Sequence, residues 1–131
     1  MGGKARIDFY GSSELLKKLE RAGANVEKCI VDALQKSVEK PKQEMLDYIR
    51  QHKLTGQTED SFTTEIKHEK NKVYLKVGFD IKKGGIAAIF LNYGTPKIAP
   101  SWFIDNAVEN NLDEIKRAQI DALNKAFEEL M

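Results

Sequence analysis

An α+β fold, with a small antiparallel sheet packed against a long N-terminal helix and a C-terminal helix, follows from three features of this chain. Val73, Leu75, Val77 and Phe79 alternate with Tyr74, Lys76 and Gly78, the period of a strand with one buried face. Val26, Ile30, Ala33, Leu34, Val38, Met45, Leu46 and Ile49 recur at three- and four-residue spacing, which places them on one helical stripe. Leu112, Ile115, Ala118, Ala122, Leu123, Ala126, Phe127 and Leu130 form a second stripe near the C-terminus. Strands and helices in separate stretches predict helices covering one face of a sheet rather than alternating βαβ units.

The remaining elements follow in chain order. Ile7 to Tyr10 reads as a short strand ended by Gly11, and residues 1–6 before it as a mobile arm. Ser12 or Ser13 caps a helix carrying Leu15, Leu16 and Leu19, and Asn25 caps the next. That helix extends over 26–53, with a kink at Pro41, which lacks a backbone donor and crowds the carbonyl of Ser37. Thr55-Gly56 ends the helical region. Ser61 to His68 and the strand through Val73–Phe79 form a hairpin about the turn Lys70-Asn71-Lys72. Asp80 to Gly85 reads as a flexible connection. Ile86 to Tyr93 is a continuous apolar run that periodicity cannot assign; its first half fits a helix and its end at Leu91-Asn92-Tyr93 a strand. Ser101 caps a further helix, and Asn111 with Glu114 resembles a capping box.

Composition bounds the function. The 131 residues suit one domain spanning 1–131. With 41% hydrophobic and 31% charged residues, the chain is globular rather than disordered. Its 21 Lys+Arg against 20 Asp+Glu leave a net charge of +1, which argues against a dedicated DNA-binding domain while leaving room for a local basic face. The single cysteine, Cys29, forms no internal disulfide and fits a reducing cytoplasm; within its apolar helical pattern it reads as a small buried hydrophobe. No stretch reaches the roughly 20 apolar residues of a membrane span, so no membrane partner is expected.

No constellation points to catalysis. His52 and His68 lack partners at metal-ligand spacing, and Lys83-Gly84-Gly85 lacks the P-loop pattern. The expectation is a protein that is not an enzyme and uses no cofactor and no metal. Lys67, Lys70, Lys72 and Lys76 cluster on the hairpin, with Lys82 and Lys83 just beyond it. Such a cluster serves as a DNA-facing surface, or as lysine protection of a solvated sheet edge. Trp102 and Phe103, adjacent on a helix, point about 100° apart, so one can enter the core while the other points elsewhere; core packing and an interface anchor are the two readings for each.

Residues 92–107 run Asn92-Tyr93-Gly94-Thr95-Pro96-Lys97-Ile98-Ala99-Pro100-Ser101-Trp102-Phe103-Ile104-Asp105-Asn106-Ala107. A strand-like run ending in Tyr-Gly-Thr, a loop bounded by Pro96 and Pro100, and a helix opening on aromatic residues together resemble the tail-component family of tailed bacteriophages, typified by the gene-ten product of phage HK-ninety-seven. Thr55-Gly56 and Ser61 also match the family's turn and hairpin start, and Phe103 and Ala107 its last helix. Thr58 stands where the family places Leu, and Asn92 where it often carries an acidic residue. The resemblance implies a structural protein of a phage or prophage neck or tail, made in the bacterial host cytoplasm and carried on the virion. It implies self-assembly into a ring, six-fold on the particle, between the connector or adaptor and the tail tube or terminator proteins, with DNA passing through the lumen. The residues assigned to the oligomer interface on that basis are Tyr93, Gly94, Thr95, Trp102 and Phe103, with the loop Lys82, Lys83, Gly84 and Gly85. The alternative is a small nucleic-acid-binding module using the hairpin lysines.

Overall fold

Among the described residues, three antiparallel strands form the platform on which the helices pack. The computed structural model describes residues 4–52, 56–70 and 72–130. Strand β1 (Lys4–Asp8), the hairpin β2 (Phe62–Glu69) and β3 (Lys72–Phe79) associate in the order β1-β3-β2. Leu75 faces Ile7 on one side and Ile66 on the other, and Val77 faces Ala5. Ala5, Ile7, Leu75, Val77 and Phe79 are buried, and Phe62, Ile66 and Val73 pack against them. Side chains of the opposite parity, such as Arg6, Glu65, Lys67 and Lys76, lie on the open face.

Helices α1 (Ser13–Arg21), α2 (Val26–Ser37), α3 (Glu39–Gln51), α4 (Gly56–Asp60), α5 (Ile86–Tyr93), α6 (Phe103–Glu109) and α7 (Leu112–Glu129) supply the second layer. Leu34, Val38, Met45, Ile49, Ile104 and Ile115 close the main core over the sheet. Leu19, Ala33 and Leu123 build a smaller cluster between α1, α2 and α7. The architecture is the α+β arrangement read from the sequence.

Several boundaries differ, each for a local reason. The first strand is Lys4–Asp8, so residues 4–6 of the expected arm are paired with Lys76, Val77 and Gly78 of β3. Ala5 is buried there, which gives the segment an anchor that partial alternation did not reveal. The long helix breaks rather than kinks. Val38 separates α2 from α3, and Pro41 becomes the third residue of α3, where a backbone donor has no intrahelical partner to lose. Ser37 Oγ turns back to donate to the Leu34 carbonyl at 2.7 Å, which helps end α2. Gly56 opens the single-turn helix α4 instead of closing a helical region; Thr55, and Asn71 of the expected turn, lie outside the described residues.

Asp80 to Gly85 is a 3₁₀ turn (Ile81–Lys83) rather than an irregular connection. Asp80 caps it by accepting from the Lys82 N–H at 3.0 Å, and Gly84 ends it at φ +100°. The apolar run Ile86–Tyr93 is helical throughout, as α5. The caps Ser12 and Asn25 accept from the N–H groups of Leu15 and Lys28, as read from the sequence. Asn111 makes no such cap. Its side chain instead donates to the Ala107 carbonyl and to Glu44, both at 2.7 Å.

Fully buried Gln119 ties three elements together. Its Nε2 donates to the Asp8 carbonyl at 2.8 Å and lies 3.4 Å from Ser37 Oγ, while its Oε1 accepts from the Tyr10 N–H at 2.7 Å. The chain leaving β1 is thereby held against α7 by side-chain bonds where the ladder has ended. Replacing Gln119 by Leu keeps the volume but strands a backbone donor and a backbone acceptor. The expected loss is about 2 kcal/mol in urea unfolding, with no change in secondary structure by circular dichroism.

Candidate protein interface

The segment from α5 to the start of α6 is built around buried Asn92. Ala88 and Asn92, four residues apart, face inward, while Ile86, Phe90 and Tyr93 face out. Asn92 Oδ1 accepts from the Ile104 N–H at 2.9 Å, and its Nδ2 donates to Asp105 Oδ2 at 3.1 Å. Its backbone carbonyl takes the Trp102 N–H at 2.9 Å. One asparagine therefore caps α6 from a different helix. Ser101 shares the task, with Oγ accepting from the Phe103 N–H at 3.3 Å and donating to the Leu91 carbonyl at 2.6 Å.

The intervening loop is equally fixed. Thr95 and Ile98 exchange backbone hydrogen bonds of 2.7 and 3.1 Å around Pro96-Lys97, and Thr95 Oγ1 accepts from both following N–H groups at 3.1 Å. Gly94, at φ +82°, ends α5 where a Cβ would sit 2.7 Å from the Pro100 nitrogen. A side chain is excluded there both by conformation and by space.

These constraints place Trp102 in the left-handed region, at φ +56° and ψ +28°. This conformation costs roughly 1–2 kcal/mol in a non-glycine residue. It persists because the Trp102 N–H and carbonyl are both bonded, the latter to the Asn106 N–H at 2.8 Å. The indole then stands on the surface, 44% exposed, edge-on to Tyr93 with ring centroids 5.3 Å apart.

Of nine exposed large apolar side chains among the described residues, five fall within residues 86–102: Ile86, Phe90, Tyr93, Ile98 and Trp102. Helical spacing joins Ile86, Phe90 and Tyr93, and ring contact adds Trp102. The result is a concentration of exposed apolar side chains on a rigid support, which makes it the candidate surface for contact with another protein.

The sequence-assigned residues divide accordingly. Tyr93 and Trp102 come together on this surface. Gly94 and Thr95 shape the loop beneath it. Phe103 turns inward: it stacks on Tyr48 at 4.6 Å and lies 6.1 Å from Phe79, which makes it a core residue. Lys82 and Lys83 are exposed on the 3₁₀ turn. Gly84 and Gly85 are structural, since Gly85 is buried and a Cβ on it would meet the Asp80 carbonyl at 2.7 Å. Ile86, Phe90, Ile98 and Asn92 were missed. The 86/90/93 spacing carries the signal for two of them once the run is read as a helix.

Lys67, Lys72 and Lys76 share the open face of the sheet, with Lys70 in the hairpin turn at φ +45°. Acidic groups interleave with them. Lys67 Nζ lies 2.8 Å from Glu65, and this hydrogen bond raises its pKa. Arg6 pairs with Asp8 and lies 3.7 Å from Glu69, with its guanidinium 3.8 Å from the Tyr74 ring centre. The face is a mixed charge lattice. His52 stacks on Tyr48 at 4.1 Å, and His68 lies 3.7 Å from Glu27. Among the described residues, no group of three His, Cys, Asp or Glu side chains is placed to hold a metal, and no helix is long and apolar enough to cross a membrane.

Comparison with protein-family models, curated proteins and solved structures returned no match. The likeness to the tail-component family thus rests on the sequence residues alone, and its opening element is a helix in this fold rather than a strand.

Asn92 explains itself against Asp105. An aspartate at position 92 would lose the amide donor and bring a second carboxylate to the first. Asn92→Asp is expected to cost about 2 kcal/mol at neutral pH, and Asp105→Asn in the same chain to recover most of it, in thermal or urea unfolding. Gly94→Ala should cost about 2 kcal/mol or more by the same measurement, because neither the backbone nor the Pro100 side of the loop has room to yield.

Proposed function

We propose that this chain is a structural component of a tailed phage or prophage particle, acting at the neck or tail by self-assembly. The single observation that carries the interaction reading is the exposed surface of Phe90, Tyr93 and Trp102, braced by a buried asparagine and a strained tryptophan backbone. Strain of this kind, retained by surrounding bonds, is a mark of functional surfaces. The place on the particle is proposed from the sequence resemblance in residues 92–107. In this reading, the aromatic surface packs against a neighbouring subunit in a head-to-tail contact. Repeated by rotation, such contacts close a ring, six-fold on the particle, through which DNA passes. The connector or adaptor and the tail tube or terminator proteins are the neighbours above and below.

The nucleic-acid reading is less well supported, because Glu65, Glu69 and Asp8 interleave with the lysines on the open sheet face. Phosphate binding draws on net positive potential, which this lattice largely cancels.

Two experiments test the proposal. Electron microscopy of particles from a strain lacking this gene should show filled heads separated from tails, or tails of abnormal length; normal infectious particles would refute it. The double substitution F90E/W102E should leave the melting temperature of the isolated chain within about 3 °C of wild type, since both side chains are exposed. The same variant should fail to restore infectious particles to the deletion strain. Full restoration would remove the aromatic surface from assembly.

A further inference from the structure

We propose that the free edge of β2 pairs with the same edge of a second copy of this chain, about a two-fold axis at Ile66, to form a continuous antiparallel sheet. Among the described residues, strand β2 bonds to β3 on one side and ends the sheet on the other. The direction of its backbone groups follows from one bond. The Asp80 N–H donates to the Ser61 carbonyl at 2.8 Å, in register with the 62–79 pairing, so positions 61 and 80 form a hydrogen-bonded pair. Alternation then turns Thr63, Glu65, Lys67 and Glu69 toward β3. It leaves the N–H and C=O groups of Phe62, Thr64, Ile66 and His68 aimed at the open edge.

Two identical antiparallel strands must oppose residues of the same face, which allows few registers. Centred on Ile66, Ile66 meets its own copy and Thr64 meets His68, all with outward backbone groups. On the open face Glu65 then meets the second copy's Lys67, twice by symmetry. Each Lys67 already lies 2.8 Å from Glu65 of its own strand, so the four charges alternate in sign around a square. The two neighbouring registers are worse: the one centred on Glu65 opposes Glu65 to Glu65, and the one centred on Lys67 opposes Lys67 to Lys67 and Glu65 to Glu69. Opposite charges facing across strands stabilise a pair and like charges weaken it, so the sequence selects the first register. Ile66, half-buried in the single chain, gains apolar cover in the pair. The edge has the length for such a contact, with eight residues in β2.

This contact is isologous and closes at two copies, and it does not rest on the phage reading. Its partner is a second copy of the chain because the charge pattern is self-complementary.

The test uses the full chain carrying F90E/W102E, so that the aromatic surface contributes nothing to association. Sedimentation velocity over a concentration series up to about 0.3 mM should show a monomer–dimer equilibrium. E65K and K67E should each weaken dimerisation by at least about tenfold, because each sets like charges opposite at both symmetric positions. An equimolar mixture of the E65K and K67E chains should regain the dimer, since each strand then faces its opposite charge. This complementation separates a contact between chains from a defect within one. Thr64→Pro removes an edge donor while sparing the β3 side, and should leave a folded monomer by circular dichroism. A chain that stays monomeric throughout the series overturns the proposal. So does a dimer unaffected by E65K and T64P, or a mixture that fails to associate.

Discussion

The side chain of Asn92 is the constraint on which the segment from α5 to α6 depends. A fully buried amide must find partners for both its donor and its acceptor, and here those partners lie one short loop away on α6. Satisfying them fixes the angle between α5 and α6. That angle in turn drives Phe103 into the core, where it joins the sheet through Phe79 to α3 through Tyr48. The same bonds force the preceding residue, Trp102, outward in a conformation it would otherwise avoid. Core and surface on either side of the Trp102-Phe103 bond are thus two consequences of one capping arrangement.

Gln119 plays the corresponding part at the other end of the chain. Strand β1 is short and lies at an edge, and its exit has no further ladder to hold it. A buried amide on α7 supplies the missing donor and acceptor. Both amides are fully buried, and each acts at the boundary of a regular element, Asn92 at the start of α6 and Gln119 at the exit of β1. This is a physical reason for polar residues inside the core: they fix where elements begin and stop, which apolar packing alone leaves degenerate.

The two surfaces of interest differ in kind. The aromatic surface on α5 and the residue before α6 is apolar, rigid and locally strained, suited to a contact that buries ring area. The β2 edge is polar and regular, and its specificity lies in the order of charges along the strand. Lysines on an edge usually discourage pairing, but the Glu65–Lys67 alternation discourages one register while favouring another. The same residues therefore answer two questions, which partner strand is rejected and which is accepted.

The sequence by itself determined the elements whose periodicity is tied to a single buried face. The alternation in β3, the stripes of α2, α3 and α7, and the caps Ser12 and Asn25 are local physics, and each appears where the residues place it. Only the tertiary structure decided the rest. Pro41 was visible, but only the fold shows the chain breaking at Val38, so that Pro41 stands in the first turn of a new helix rather than at a kink. Ile86–Tyr93 is apolar on both sides, so its period was hidden until the fold buried Ala88 and Asn92 and left Phe90 and Tyr93 outside. The roles of Trp102 and Phe103 were open in the sequence because neighbouring aromatics compete for one core. The hydrogen bonds of Asn92, made across twelve residues to a backbone donor of another helix, settled which of them enters it.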